Sequence, residues 1–274
     1  MRIQHNMTAA NTNRQLGITN GNIAKSTEKL SSGYAINRAA DNAAGLKISE
    51  KMRGQIRGLE QASTNAQDGI SLVQTAEGAL NETSSILQRM RELTVQAAND
   101  TNVSADRTSI SEEIEQLEQE ITRIANQTEF NTMKLLSGGF AGKELNLQVG
   151  ANEGQNISFT IDKMTATALG VSSIHSKVSS YAAATAAITT IDAAITSVTA
   201  TRSKLGAVQN RLEHTIANAD NTAENLSTAE SRIRDVDMAA EMVTYSKDSI
   251  LQQAAQSMLA QANQATQGIL SVLQ

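Results

Sequence analysis

The chain has 274 residues and a formal net charge of −5; 40 % of it is hydrophobic, only 2 % is aromatic, and it has no Trp, Cys or Pro. Absent cysteine excludes a disulfide framework and thiolate chemistry, and a mildly acidic balance without a basic patch argues against a nucleic-acid partner. With three Phe and three Tyr, burial must come from Leu, Ile, Val, Met and Ala, the side chains of helix seams, and no proline interrupts a helical ladder.

Residues 1–43 mix scattered apolar positions (Ile3, Met7, Leu16, Ile18, Ile23, Leu30) with Asn, Thr and Gly. That pattern predicts an amphipathic helix that has no core of its own and needs a partner. The opening "MRIQHNMTAANTNRQL" lacks the apolar core of a secretory signal, and no apolar run is long enough to cross a bilayer. Composition by itself therefore points to the cytoplasm and to no membrane. In "EKMRGQIRGLE", residues 50–60, Lys51, Arg53 and Arg57 read as a solvated helix face. Gly54 and Gly58 stand one turn apart and cost helix stability with no local gain, so they predict close packing of another backbone, or a bend.

From residue 72 the heptad signal takes over. Leu72, Ala76, Ala79, Thr83, Ile86, Met90, Leu93 and Ala97 keep an unbroken four-three alternation, with Val73, Leu80 and Leu87 as a flanking row. This predicts a helix packed on two sides. Its polar side carries Gln88, Arg89 and Glu92, and is either solvated or a contact surface. Leu93 stands at the edge of the seam, where an internal role and partial exposure are both open. After the polar turn "NDTNVSAD", Ile110, Ile114, Leu117, Ile121 and Ile124 repeat the spacing, and the short connection predicts an antiparallel partner.

Between 143 and 162 the period switches to two. Leu145, Leu147 and Val149, then Ile157, Phe159 and Ile161, flank "GANEG" as a β-hairpin with a five-residue loop. The Ala/Thr/Ser stretch 179–201 keeps Ile188, Ile191, Ile195 and Val198 on one stripe, and Leu205, Leu212, Ala219, Leu226 and Ile233 extend it, so it is helix rather than linker. Arg202, Gln209 and Glu230 fall on that stripe and are expected to snorkel. The C-terminal segment carries Ile250, Leu251, Ala254, Ala255, Met258, Leu259, Ala262, Ile269 and Leu270, a second stripe in need of a partner. The fold class that follows is mainly α: an elongated antiparallel helical bundle or coiled coil with a small β-hairpin region at its tip. Its parts are an N-terminal helix segment (1–43), a helical middle (44–237) and a C-terminal helix (238–274).

No enzyme motif is present. His5, His175 and His214 are widely separated, and HExxH, GxSxG and P-loop patterns are absent, so no catalytic residue, metal site or cofactor is expected.

Two long blocks carry a resemblance. "KLSSGYAINRAADNAAGLKISEKMRG" and the helix after it resemble the N-terminal region of bacterial flagellin, "SRIRDVDMAAEMVTYSKDSILQQAAQSMLAQANQ" resembles its C-terminal region, and "NQTEFNTMKLLSG" lies between them. The short Gram-positive type, without large variable outer domains, is the most similar. Tyr34, Ala35, Ala40 and Asn42 depart from the usual "SGLRINRAGDDAAG", and Thr266 and Gln274 depart from the usual tail.

The resemblance implies a subunit of the extracellular flagellar filament, exported unfolded by the flagellar type III system without a cleaved signal. It also implies an export chaperone on the C-terminal segment, hook–filament junction and cap proteins as partners, and the Toll-like receptor for flagellin as a host partner. Arg89, Leu93 and Glu113 match the positions that receptor reads, with Gln88 and Glu92 beside them. Residues 1 to about 40 and from about 238 on are expected to be disordered in the free monomer and to fold on incorporation. Ile250, Leu251, Ala254, Met258, Leu259, Ile269 and Leu270 are then the axial and chaperone contacts, and Gly54 and Gly58 the close-packing positions. A junction protein and a cytoplasmic coiled-coil signalling rod are the alternatives.

Overall fold

The structure, a computed structural model, describes the backbone of residues 6–272 and side chains through residue 264. Ten elements follow in order: α1 (Met7–Ser32), α2 (Ala43–Ala97), α3 (Ser104–Gln127), β1 (Glu129–Phe130), β2 (Met133–Lys134), β3 (Leu145–Gln148), β4 (Asn156–Phe159), α4 (Ile174–Lys177), α5 (Tyr181–Arg234) and α6 (Met238–Val272). The chain is mainly helical, with two small antiparallel sheets. It divides into two compact units: residues through Gly54 together with those from Glu224 on, and Gln55–Ala223.

In the central unit, one apolar cluster joins α2, α3, α5 and β4. The flanking row Val73, Leu80 and Leu87 is fully buried, whereas Ala79 and Ile86 of the heptad row are half-buried. A straight helix drifts by about 20° per heptad against a 3.5-residue repeat, so a helix covered on two sides buries the row between its partners. Thr83 and Thr94 are buried within the same stripe, and their hydroxyls donate to the Ala79 and Met90 carbonyls one turn back. On α3 the buried positions are Ile110, Ile114, Glu118, Ile121 and Ala125, so Leu117 and Ile124 give up two places to Glu118 and Ala125. By length and mean hydropathy α5 matches a membrane span, but its Ile191, Val198, Leu205 and Leu212 are core residues of the bundle. Arg202, on the same stripe, is half-buried, with its guanidinium 3.7 Å from Glu77.

The hairpin of β3 and β4 pairs Leu145 with Phe159 and Leu147 with Ile157, and the alternation predicted for it holds on both strands. Past the last strand pair the Val149 N–H donates to the Gln155 carbonyl, which leaves the five residues 150–154 as the connection. The hairpin packs along α2. An added Cβ on Gly58 would come within 2.8 Å of Ala151 Cβ, and one on Gly69 would collide with Leu147, while Asn65 donates to the Gln148 carbonyl. Gly58 thus has the predicted backbone neighbour and Gly54 does not, because the space beside it is open. Close packing is assigned to Gly58 and Gly69. A second hairpin, β1 with β2, turns through Asn131 and Thr132, both at positive φ. That is the signature of a two-residue primed turn, on strands too short to leave a pattern in the sequence.

In the other unit, α1 and α6 run antiparallel. Asn6 donates to the Ala262 carbonyl, Gln252 to Asn20, and Lys29 lies 3.8 Å from Glu241. Helix α1 ends because Gly33 adopts φ 77°, where its N–H reaches the Lys29 carbonyl as a C-cap.

Candidate assembly surfaces

Helix α6 has an inverted sidedness. The buried or half-buried positions, on the side of the α1 contacts, include Glu241, Tyr245, Asp248 and Gln252, and Asp248 is only 7 % exposed; the matching places on α1 are Thr19 and Ser26, each 4 % exposed. Its large apolar side chains face away: Met238, Met242, Val243, Ile250, Leu251 and Met258 are exposed, Val243 by 70 % and Ile250 by 67 %. Burial of a Leu or Ile is worth about 1.5–3 kcal/mol, and here Leu16, Ile23, Leu30 and Leu259 are only half-buried while the largest apolar side chains stay outside, so the pair gains little from its own contact. The row left outside is an exposed apolar patch of the kind found at contact surfaces. Of the predicted axial residues, Ile250, Leu251, Ala254 and Met258 lie on this exposed side and Leu259 is half-buried. Ile269 and Leu270 lie outside the described side chains.

The second predicted surface joins α2 and α3. Arg89 donates through Nε and Nη2 to one oxygen of Glu113, at 3.1 and 2.9 Å, and through Nη1 to Glu92 at 3.2 Å. The Glu113 hydrogen bonds, then that of Glu92, raise the guanidinium above its ordinary range, and all three side chains are about half exposed or more. Gln88 is exposed beside them. Of the two readings open for Leu93, the internal one holds: it is 2 % exposed, a core residue of the seam, and it supports this face from beneath. The apolar residue outside is Val95, half exposed and seven positions from Gln88, a helical spacing readable in the sequence once Leu93 is assigned to the core. Arg91 ties the same helix to α5 through Asp192 at 2.7 Å.

Among the described residues no group of His, Asp and Glu could hold a metal ion. His214 is exposed. His175 is engaged in packing, because buried Glu118 accepts from its backbone N–H at 2.9 Å and contacts its Nδ1 at 2.8 Å, and Ser111 donates to its carbonyl. The only signal of this carboxylate partner in the sequence is a Glu on the apolar side of α3. His5 lies outside the described residues. A groove of about 560 Å³ between α2 and α3 is lined by Glu82, Ile86, Glu120 and Arg123. Arg123 is already forked onto Glu120 at 2.5 and 2.7 Å, so its charge is taken up within the groove.

Two family models match: the bacterial flagellin N-terminal helical region over residues 3–141, and the bacterial flagellin C-terminal helical region over residues 188–273. The chain is 54 % identical over 273 residues to a flagellin of Halalkalibacterium halodurans and 53 % identical over 303 residues to one of Bacillus subtilis. It is 50 % identical over 285 residues to the flagellar filament 33 kDa core protein of Treponema phagedenis. Each of these alignments covers 100 % of both chains.

Proposed function

The chain belongs to the bacterial flagellin family and is a structural subunit of the flagellar filament, and from that premise we propose that the outward row of α6 makes its axial contacts. Identical subunits that meet through two unlike surfaces without closing a ring build an open helical filament. One surface is Ile250, Leu251, Ala254 and Met258 with Leu259, Ile269 and Leu270; the single observation that carries this reading is the exposure of the row while polar residues occupy the seam with α1. The lateral surface is Gln88, Arg89 and Glu92 with Glu113, and it is also the surface read by the host Toll-like receptor. Gly54, with open space beside it, is where a neighbouring subunit's backbone approaches.

The same inversion supports a life in two states. A seam whose most buried residues are Thr19, Ser26 and Asp248, with Leu16, Ile23, Leu30 and Leu259 only half-buried, is too weak to hold α1 and α6 together in the free subunit, so residues 1 to about 40 and from about 238 on fold only when a neighbour covers the apolar row. An unfolded pair of ends suits export through the flagellar type III channel. In the cytoplasm an export chaperone covers the C-terminal row in a groove of its own. Outside the cell the subunit meets the hook–filament junction proteins at one end of the polymer and the cap at the other. No catalytic step, cofactor or metal enters this function.

The test is a chain ending at Val236. It should keep the helices of the central unit by circular dichroism and lose both chaperone binding and growth onto filament seeds. Growth of that truncation at the full-length rate would remove α6 from the axial contact.

A further inference from the structure

Where the two terminal helices begin and end, segments 200 residues apart are fastened together. After the Gly33 cap, Ala35 N–H donates to the Arg234 carbonyl at 2.7 Å and Val236 N–H to the Gly33 carbonyl at 3.0 Å, so that Tyr34 and Asp235 form a one-residue antiparallel bridge. Arg234, the last residue of α5, is only 13 % exposed at its side chain. Its Nη1 lies 2.7 Å from Glu50 Oε1 on the first turns of α2, and its guanidinium carbon stands 4.7 Å from the centre of the Tyr34 ring. Glu50 also accepts from Arg53 at 3.1 Å, and the Arg234 hydrogen bond holds its carboxyl below the ordinary range. One guanidinium thus touches the start of α2 and the link after α1, and the chain leaves it directly into α6.

We infer that Arg234, stacked on Tyr34 and paired with Glu50, is a positioning residue for polymerisation: it fixes the direction in which α1 and α6 leave the bases of α2 and α5, and through that the placement of the α6 contact row on the next subunit. This rests on the axial role given to α6 above. A cation over a ring and one half-exposed ion pair are individually weak, so their importance cannot lie in holding the fold. It lies in leverage. Helix α6 has 35 residues, which at 1.5 Å each is about 50 Å, so a 10° change at its base moves its far end by about 9 Å, a whole helix diameter. The fastening needs both a planar cation and a ring. Tyr34, one of the positions where this chain departs from the usual flagellin pattern, supplies the ring where a leucine could not.

The experiment compares the full-length chain with Tyr34→Ala, Arg234→Gln, the double variant and Tyr34→Phe. Each is read by helix content, elongation rate on wild-type seeds, and the rotation per subunit in electron cryomicroscopy of the resulting filaments. Tyr34→Ala and Arg234→Gln should keep wild-type helix content and slow elongation by about three- to tenfold, the effect of losing one partly desolvated cation–π contact, with a shifted or broadened rotation per subunit. The double variant should be no slower than the slower single one, because both changes break one unit. Tyr34→Phe, which keeps the ring, should restore the wild-type rate and rotation. Wild-type rate and rotation in both single variants would overturn the inference, as would a loss of helix content that accounts for the slowing. Tyr34 is partly exposed, so its removal tests the fastening even where Arg234→Gln unfolds. If the clasp variants are normal while the chain ending at Val236 fails to grow, the clasp alone is wrong. If that truncation grows while the clasp variants are slow, the axial role of α6 is wrong and with it the inference that Arg234 acts by placing the α6 row.

Discussion

The central bundle and the terminal pair are both made of long helices, yet they use their apolar residues in opposite ways. In the bundle, Val73, Leu80, Leu87, Ile114, Ile121, Ile191 and Val198 turn inward and, Glu118 apart, most charges turn out. In the pair, Thr19, Ser26 and Asp248 turn inward, while Met242, Val243, Ile250, Leu251 and Met258 turn out. The bundle satisfies itself. The pair leaves an apolar row uncovered, which on the proposed function a neighbouring subunit covers. Helical periodicity is the same in both, so periodicity reports that a stripe exists and not who covers it.

That contrast can be broken at several places. The largest effect belongs to the bundle: Leu87→Ala removes a fully buried side chain and should cost about 2–5 kcal/mol in urea unfolding of the monomer. A loss below about 1 kcal/mol would show that the core row is misassigned. Next comes the shelf for the hairpin, where Gly69→Val forces a side chain into Leu147. It should cost about 1–3 kcal/mol in the same measurement, with the change focused on the exchange of β3 amides.

The acid limb sharpens the comparison further. Asp41 is held below its ordinary value of 3.8 mainly by the Arg38 backbone N–H, with that of Asn37 adding to it, and Glu50 below 4.5 mainly by Arg234. Lowered carboxyls contribute stability that is fully present above their unfolded values and lost as pH falls through the lowered folded ones. In the assembled filament the protection factors of the Ala35 and Val236 amides, that is their exchange rates corrected for the intrinsic pH dependence, should therefore be flat above pH 4.5 and fall only below it. Loss of protection already at neutral pH would break the link to Glu50. The smallest monomer effect is expected at Ile250→Ser, which should leave the unfolding midpoint unchanged while abolishing growth on seeds. A destabilised monomer would mean that Ile250 is covered within the chain.

Much of this was readable in the residues. The long helices, the antiparallel turn at 98–103 and the alternation of Leu145, Leu147, Ile157 and Phe159 follow from spacing alone, since the period of burial is fixed by helix and strand geometry. Arg89 and Glu92 share a face of α2 by i, i+3 spacing, which is a local relation. What spacing leaves open is non-local. Whether Leu93 is core or surface depends on where α3 and α5 pack, and the same holds for Gly54 against Gly58, which look alike in sequence and differ only in that Ala151 lies over one of them. The burial of Glu118 depends on His175, 57 positions away. The fastening of Arg234 to Tyr34 and Glu50 spans nearly the whole chain, and no window short enough to show a period contains it.

The central claim, that the terminal pair is completed by a neighbour, is tested most directly by amide exchange at Leu259 in free subunit and in filament. The account predicts rapid exchange across α1 and α6 in the free subunit and strong protection after assembly, with the bundle amides of Leu80 and Leu87 protected in both. Strong protection of Leu259 in the free subunit would contradict it.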